Sequence, residues 1–197
     1  FDASGKYLVV ADLGIDKLAI YRYDVGTGAL NAIDTPAVLK PGAGPRHTKF
    51  HPKLPVIYSV NELDSTVTAF AFDVASGATK ELQTITTLPS EFVGMNTTAE
   101  IRVHPSGQFM YASNRGHDSI AVFGVERASG KLSAKGQTST GGSTPRNFNV
   151  EPSGKYLIVA NQKSDSVVTF SIDGKTGALK QVGEPLSVPV PVCVLFP

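Results

Sequence analysis

Ala3-Ser4-Gly5-Lys6-Tyr7-Leu8-Val9-Val10-Ala11-Asp12 returns with few changes as Pro152-Ser153-Gly154-Lys155-Tyr156-Leu157-Ile158-Val159-Ala160-Asn161. Pro105-Ser106-Gly107-Gln108-Phe109-Met110-Tyr111-Ala112-Ser113-Asn114 is a third copy, and Pro52-Lys53-Leu54-Pro55-Val56-Ile57-Tyr58-Ser59-Val60-Asn61 a more divergent fourth. The closing residues Asp12, Asn61, Asn114 and Asn161 are 49, 53 and 47 residues apart, and Gly28, Gly77, Gly130 and Gly177 repeat the same three intervals. Two landmarks that drift together mark an internal repeat of about 50 residues. The units are 1–50, 51–103, 104–150 and 151–197, read together as a single domain.

Each unit reads as four short strands. A turn carrying Ser-Gly or its substitute precedes an apolar run at 7–12, 56–61, 109–114 and 156–161. A second, alternating run follows at 18–23, 67–72, 120–125 and 167–172, rich in the β-branched and aromatic residues that suit a pleated surface. A tight turn ending in Thr-Gly or Ser-Gly leads to a weaker outer strand. A last strand enters the next unit: His47 to Phe50, Glu100 to Val103, Asn147 to Val150 and Cys193 to Phe196. No helix is expected. Four antiparallel strands at this period make an all-β fold, a β-propeller of four-stranded antiparallel blades. The chain has no Trp for a Trp-Asp signature, and its single Gly-Gly pair, Gly141-Gly142, sits in a loop and fits a kelch pattern poorly. A closed four-bladed ring is one solution. The start inside a blade and the lone strand at Cys193 to Phe196 favour about four blades of a larger ring.

The bulk properties narrow the partners. Of 197 residues, 41% are apolar and the net charge is +1, with the basic residues dispersed, so neither nucleic acid nor a membrane surface is expected. No apolar run approaches the roughly 18 residues of a membrane span. The one cysteine, Cys193, excludes an internal disulfide and a cysteine cage. It fits a reducing compartment, so the cytoplasm is the expected location. The chain opens at Phe1 without Met, however, and a targeting segment upstream would mean periplasm or export instead.

Strand direction converts the repeat into a candidate site. Loops that enter the innermost strand and loops that leave the second strand share one face of the disc, near the axis. Entering, the units carry Pro45-Arg46-His47, Thr98-Ala99-Glu100, Pro145-Arg146-Asn147 and Pro191-Val192-Cys193; leaving, they carry Asp12-Leu13, Asn61-Glu62, Asn114-Arg115 and Asn161-Gln162. A purely structural position would repeat its residue. Arg46, His47, Glu62, Glu100, Arg115, Arg146, Asn147 and Gln162 differ from unit to unit, which points to an asymmetric site on a quasi-symmetric frame. The alternative is a solvated channel lining. His51 and His104 share a repeat position with Asp2 and Glu151 in the turn on the opposite face, and read as turn residues. His47 and His51 are four apart on a strand, and no other ligand spacing occurs, so neither metal nor cofactor is called for. Asp16, Asp64, Asp118 and Asp165 read as turn acceptors. There is no nucleophile elbow and no phosphate loop.

Gly44-Pro45-Arg46-His47-Thr48-Lys49-Phe50-His51-Pro52, Ala99-Glu100-Ile101-Arg102-Val103-His104-Pro105-Ser106-Gly107, Ser113-Asn114-Arg115-Gly116-His117-Asp118-Ser119-Ile120 and Thr144-Pro145-Arg146-Asn147-Phe148 resemble segments of the seven-bladed lactonase family. That family holds propeller-type 6-phosphogluconolactonases and the fungal 3-carboxy-cis,cis-muconate lactonizing enzyme. The resemblance runs over the whole chain and implies the C-terminal four or so of seven blades. It implies site roles for Arg46, His47, Glu62 and Arg115 as catalytic residues, with Glu100 and Arg146 at further pocket positions. Asn147 and Gln162 join the substrate-binding set. A further family histidine would lie upstream of Phe1.

Three functions follow. The first is hydrolysis of a sugar-derived lactone, 6-phosphoglucono-δ-lactone by preference. Glu62 or His47 would be the base and Glu100 a fallback, Arg46 and Arg115 would face the oxyanion, and Arg146 the phosphate. The second is cyclisation of a carboxylated muconate by the same cluster. The third is a non-catalytic binding propeller, which predicts an apolar rim on the site face, where loops such as Gly141-Gly142-Ser143-Thr144 are small and polar.

Overall fold

The computed structural model describes residues 1–196, leaving Pro197 of the last repeat outside the described residues. The first sheet holds β1 (Tyr7–Asp12), β2 (Lys17–Tyr23) and an outer edge split into β3 (Leu30–Ala32) and β4 (Ala37–Val38). The second runs β5 (Pro45–Phe50), β6 (Val56–Asn61), β7 (Thr66–Phe72), β8 (Thr79–Thr86). The third runs β9 (Thr97–Val103), β10 (Phe109–Arg115), β11 (Ser119–Val125), β12 (Leu132–Ser139). The fourth runs β13 (Pro145–Val150), β14 (Tyr156–Asn161), β15 (Ser166–Ile172), β16 (Leu179–Ser187). All pairings are antiparallel and follow chain order, so three complete blades have the expected build. Among the described residues no helix is long and apolar enough to cross a membrane.

One expectation needs correction. Cys193 to Phe196 forms no strand. No backbone ladder is present for it; side chains of β13 hold the segment instead, with Asn147 Oδ1 accepting from Val194 N at 2.8 Å and Asn149 Nδ2 donating to Val194 O at 3.2 Å. As expected, no α-helix forms among the described residues; the helical elements are two 3-10 turns of three residues, Leu13–Ile15 and Gln162–Ser164. Asp64 accepts within its turn, from Thr66 Oγ1 at 2.6 Å, while Ser65 holds the repeat position of Asp16, Asp118 and Asp165 in the second blade. Asp16, Ser65, Asp118 and Asp165 all take the left-handed conformation, with φ of 54°, 56°, 50° and 48°. The three aspartates reach across to the loop entering the next inner strand: Asp16 accepts from Gly42 N and Gly44 N, Asp118 from Thr144 N, and Asp165 from Val190 N. Ser65 does so through Asn96.

The core lies between blades. Every residue of β6 and β11 is buried, because their sheets are covered on both faces and need no polar side. Along β6, Val56, Tyr58 and Val60 pack toward the third sheet while Ile57 packs toward the first. Along β10, Met110 and Ala112 face the second sheet, and Phe109 and Tyr111 the fourth. The period of two thus serves two cores at once.

Each interface is also pinned by hydrogen bonds to turn carbonyls. Tyr58 OH donates to Gly130 O at 2.7 Å and Tyr111 OH to Gly177 O at 3.0 Å, each in the next blade. His51 Nε2 lies 2.8 Å from Gly107 O, and His104 Nε2 2.8 Å from Gly154 O.

Gly5, Gly107 and Gly154 occupy one repeat position, with φ of 69°, 77° and 77°. A Cβ on Gly5 would meet nothing within 4 Å, whereas one on Gly107 would lie 2.7 Å from His51 Cε1 and one on Gly154 2.6 Å from His104 Nε2. Gly5→Ala should therefore lose only the backbone term, about 1 kcal/mol. Gly107→Ala and Gly154→Ala should lose at least about 1 kcal/mol more, because the histidine must leave its carbonyl. Denaturant unfolding reads the difference; equal losses at all three positions would contradict the interlock.

Candidate active site

The inner strands β5, β9 and β13 pack side by side, and each begins with a register irregularity. On β5 the pairing steps from Pro45↔Asn61 to His47↔Val60, so Arg46 is the extra residue. On β13 it steps from Pro145↔Asn161 to Asn147↔Ala160, so Arg146 is extra. On β9 it shifts between Ile101↔Ala112 and Thr98↔Asn114, around Ala99 and Glu100. A bulge turns one side chain out of the alternation and frees backbone groups from the ladder. The proline before each arginine has no N–H to contribute there.

Glu62 follows β6, fixed by its N–H on Gly44 O at 2.7 Å. Its Oε2 lies 3.0 Å from Arg46 Nε and its Oε1 2.8 Å from Arg115 Nη2. Backbone carbonyls at the β9 irregularity complete the arginines: Arg46 Nη1 donates to Ala99 O at 2.6 Å, and Arg115 Nη2 to Thr98 O at 2.9 Å. The buried Arg115 Nε has no partner among the described residues. Burial is the largest influence on Arg46 and lowers its pKa; Glu62 opposes this, while Arg115 and Arg146 add to it.

Beside this chain, His47 Nδ1 lies 3.2 Å from Glu100 Oε1, with the imidazole 40% exposed and the carboxylate 2% exposed. Arg46 Nη1 is 3.4 Å from His47 Nδ1 and 3.3 Å from Nε2. Nearly equal distances to both nitrogens place the guanidinium over the ring face, so neither in-plane position is taken by it.

Arg46, His47, Glu62, Glu100 and Arg115 thus form one connected group. Asn147 joins it behind His47, donating from Nδ2 to Glu100 Oε2 at 2.5 Å. Arg146 is near enough to influence Arg46 but makes no ion pair or hydrogen bond among the described residues. Gln162 stands in its 3-10 turn, tied only through its backbone N–H to Thr144 O. Sequence reasoning missed Arg102, whose Nη1 is 2.8 Å from Glu100 Oε1. Its place two residues after Glu100 on one strand was the available signal. Among the described residues no group of three or more His, Cys, Asp or Glu is placed to hold a metal ion.

A hollow of about 360 Å³ lies on the opposite rim, lined by His51, Lys53, Gly107 and Arg127 among others. His51 is spent on structure there. Its Nδ1 accepts from Lys53 N and Leu54 N, so Nε2 carries the proton and donates to Gly107 O. The site face is not wholly polar. Val93 and Met95, each 94% exposed, crown the loop between β8 and β9.

The family model described as "Lactonase, 7-bladed beta-propeller" matches residues 1–196. A 6-phosphogluconolactonase of Bacillus subtilis (strain 168) is 39% identical over 196 residues, 100% of this chain and 55% of that protein. A solved Lactobacillus plantarum protein aligns with a TM-score of 0.90 at 34% identity, over 95% of this chain and 54% of that one. The periplasmic gluconolactonase of Pseudomonas aeruginosa gives 0.88 at 34% identity, over 96% of this chain and 53% of that one. The chain spans about half the length of these relatives.

Two outcomes are expected. Glu62→Ala leaves Arg46 and Arg115 without their carboxylate and should lower stability by about 2–3 kcal/mol. Sulfate should restore part of the loss by binding the uncompensated guanidiniums, read as an anion-dependent rise in Tm larger than in the wild type. The second concerns pH. Burial is the main cause that lowers the His51 pKa, against the opposing Gly107 bond. With the folded value below the unfolded value of about 6.5, the unfolded chain takes up the proton first as pH falls. The stability His51 contributes is present above about pH 6.5 and lost below it. Unfolding free energy should fall between pH 7.5 and 5.5, and fall less in His51→Asn.

Proposed function

Since the chain belongs to the seven-bladed β-propeller lactonase family, we propose that its charged cluster hydrolyses a sugar-derived lactone, 6-phosphoglucono-δ-lactone by preference. The observation that carries this reading is the Arg115–Glu62–Arg46 ion-pair chain lying against His47.

The ionic pattern divides the roles. Both oxygens of Glu62 are taken by guanidinium groups, so Glu62 holds the arginines in place and His47 serves as base. His47 Nε2 accepts a proton from water as the water oxygen attacks the lactone carbonyl carbon. The carbonyl oxygen takes up the negative charge and meets Arg46 or Arg115, donors already fixed before the reaction begins. Collapse of the tetrahedral intermediate breaks the bond to the ring oxygen, which takes the proton back from His47. The product is the open-chain hydroxy acid, and no covalent intermediate is needed. Arg146, free of carboxylates, suits a phosphate, with Gln162 on the same face; a guanidinium fork matches phosphate geometry. The family names of the Bacillus subtilis and Pseudomonas aeruginosa relatives support the substrate class.

A binding role has one observation in its favour, the exposed Val93 and Met95. It gives no reason for a buried carboxylate behind a half-exposed histidine.

The test is lactone opening by the full chain, followed by proton release against the spontaneous rate. Arg115→Ala should cut kcat/KM at least about tenfold, near 1.4 kcal/mol of transition-state stabilisation. Arg146→Ala should raise KM for the phosphorylated lactone and leave that for gluconolactone unchanged. Wild-type rates in Arg115→Ala, or no rate above the spontaneous one in any form, would remove the lactonase reading.

A further inference from the structure

We infer that Glu100 is a positioning residue that fixes the tautomer of His47, placing the proton on Nδ1 and leaving Nε2 as the free base toward the open face. The inference rests on the reading of His47 as a base, and adds what makes it one.

Glu100 is 1% exposed, yet every part of its carboxylate is engaged. Oε1 accepts from Ile101 N at 2.9 Å, Arg102 Nη1 at 2.8 Å and His47 Nδ1 at 3.2 Å. Oε2 accepts from Asn147 Nδ2 at 2.5 Å. A carboxylate in this setting is held ionised. Burial pushes its pKa up, but the His47 bond, the Arg102 charge and the Ile101 amide together hold it below the usual range. An ionised carboxylate only accepts, so the partner nitrogen of His47 must carry the hydrogen. A neutral imidazole has one N–H, which leaves Nε2 with its lone pair.

The carboxylate cannot swing away from this task. Arg102 is braced by Nε on Asn149 Oδ1 at 2.9 Å, and Asn147 by Val194 N on its Oδ1 at 2.8 Å. His47, Glu100 and Asn147 occupy one position in successive inner strands, and Lys49, Arg102 and Asn149 the position two residues on. The brace is therefore built from the repeat itself. A side chain serving only to fill the channel would not need an ion 98% shielded from water with four donors around it. When His47 gains a proton during turnover, the same fixed negative charge stabilises the imidazolium.

The test separates positioning from packing. In 15N-detected NMR of the full chain above the histidine titration, His47 should show Nδ1 protonated and Nε2 bare, without substrate. Glu100→Gln should lower kcat at least about tenfold with KM changed less than twofold. Glu100→Asp should recover part of kcat. A wild-type His47 protonated on Nε2 overturns the inference whether or not any variant folds, as does Glu100→Gln with unchanged kcat. The expected tautomer in a protein that turns over no lactone would uphold the positioning role and remove the lactonase reading alone.

Discussion

A sheet with two apolar faces is stable only between two neighbours, and here each neighbour is locked by a backbone carbonyl in a glycine turn. Tyr58 and Tyr111 reach the turns at Gly130 and Gly177, and His51 and His104 reach those at Gly107 and Gly154. The turns must carry glycine for two reasons at once: positive φ, and the absence of a Cβ where the neighbour's side chain lies. At Gly130 and Gly177 a Cβ would meet Val56 at 2.7 Å and Phe109 at 2.5 Å. The glycine interval that defines the repeat is thus a record of contact between blades as well as of hairpin geometry. Burial pushes the Tyr58 and Tyr111 hydroxyls up, so they remain neutral donors.

With the blades locked, residues from three sheets meet at fixed distances. Arg46, Arg115 and Glu100 come from different inner and second strands, yet their partners lie within 3.2 Å. Charge is distributed in two groups. Glu62 offsets Arg46 and Arg115, and Glu100 offsets Arg102 while holding His47. Arg146 is left over. A half-buried guanidinium with no ion pair among the described residues favours an incoming anion, so the proposed phosphate role of Arg146 rests on an imbalance within an otherwise paired set.

Much of this was legible in the sequence. The second and third strands of each blade fall within a residue of the alternating runs, because two-sided burial writes an unbroken apolar pattern. The convergence of Arg46, His47, Glu62, Glu100 and Arg115 followed from strand direction alone. Other features need coordinates. A bulge leaves no mark in composition, so the reason Arg46 and Arg146 escape the ladder was hidden. Asp64 looked equivalent to Asp16 by type, while Ser65 holds the position by conformation. Cys193 to Phe196 has strand-like residues but lacks backbone pairing, and sequence cannot supply a partner. The exposed tip of Val93 and Met95 sits in a loop that also holds the partly buried Leu88 and Phe92, and only coordinates show which of the four face solvent.

The contrast between His47 and His51 shows how one strand sets opposite uses for one residue type. β5 runs from the site face, where it begins at Pro45, to the turn face just past Phe50. At about 3.3 Å per residue, the four steps between the histidines span roughly 13 Å. Two ligands of one metal ion, each about 2 Å from it, cannot be so far apart on a rigid strand. The pair therefore divides its chemistry. His51 has both nitrogens consumed by turn backbone and must stay neutral to keep them. His47 has one nitrogen engaged by a carboxylate, which in the proposed role leaves the other as the base. What distinguishes the proposed base from the strut is the partner at Nδ1: two donating amides make it an acceptor at His51, and an accepting carboxylate makes it a donor at His47.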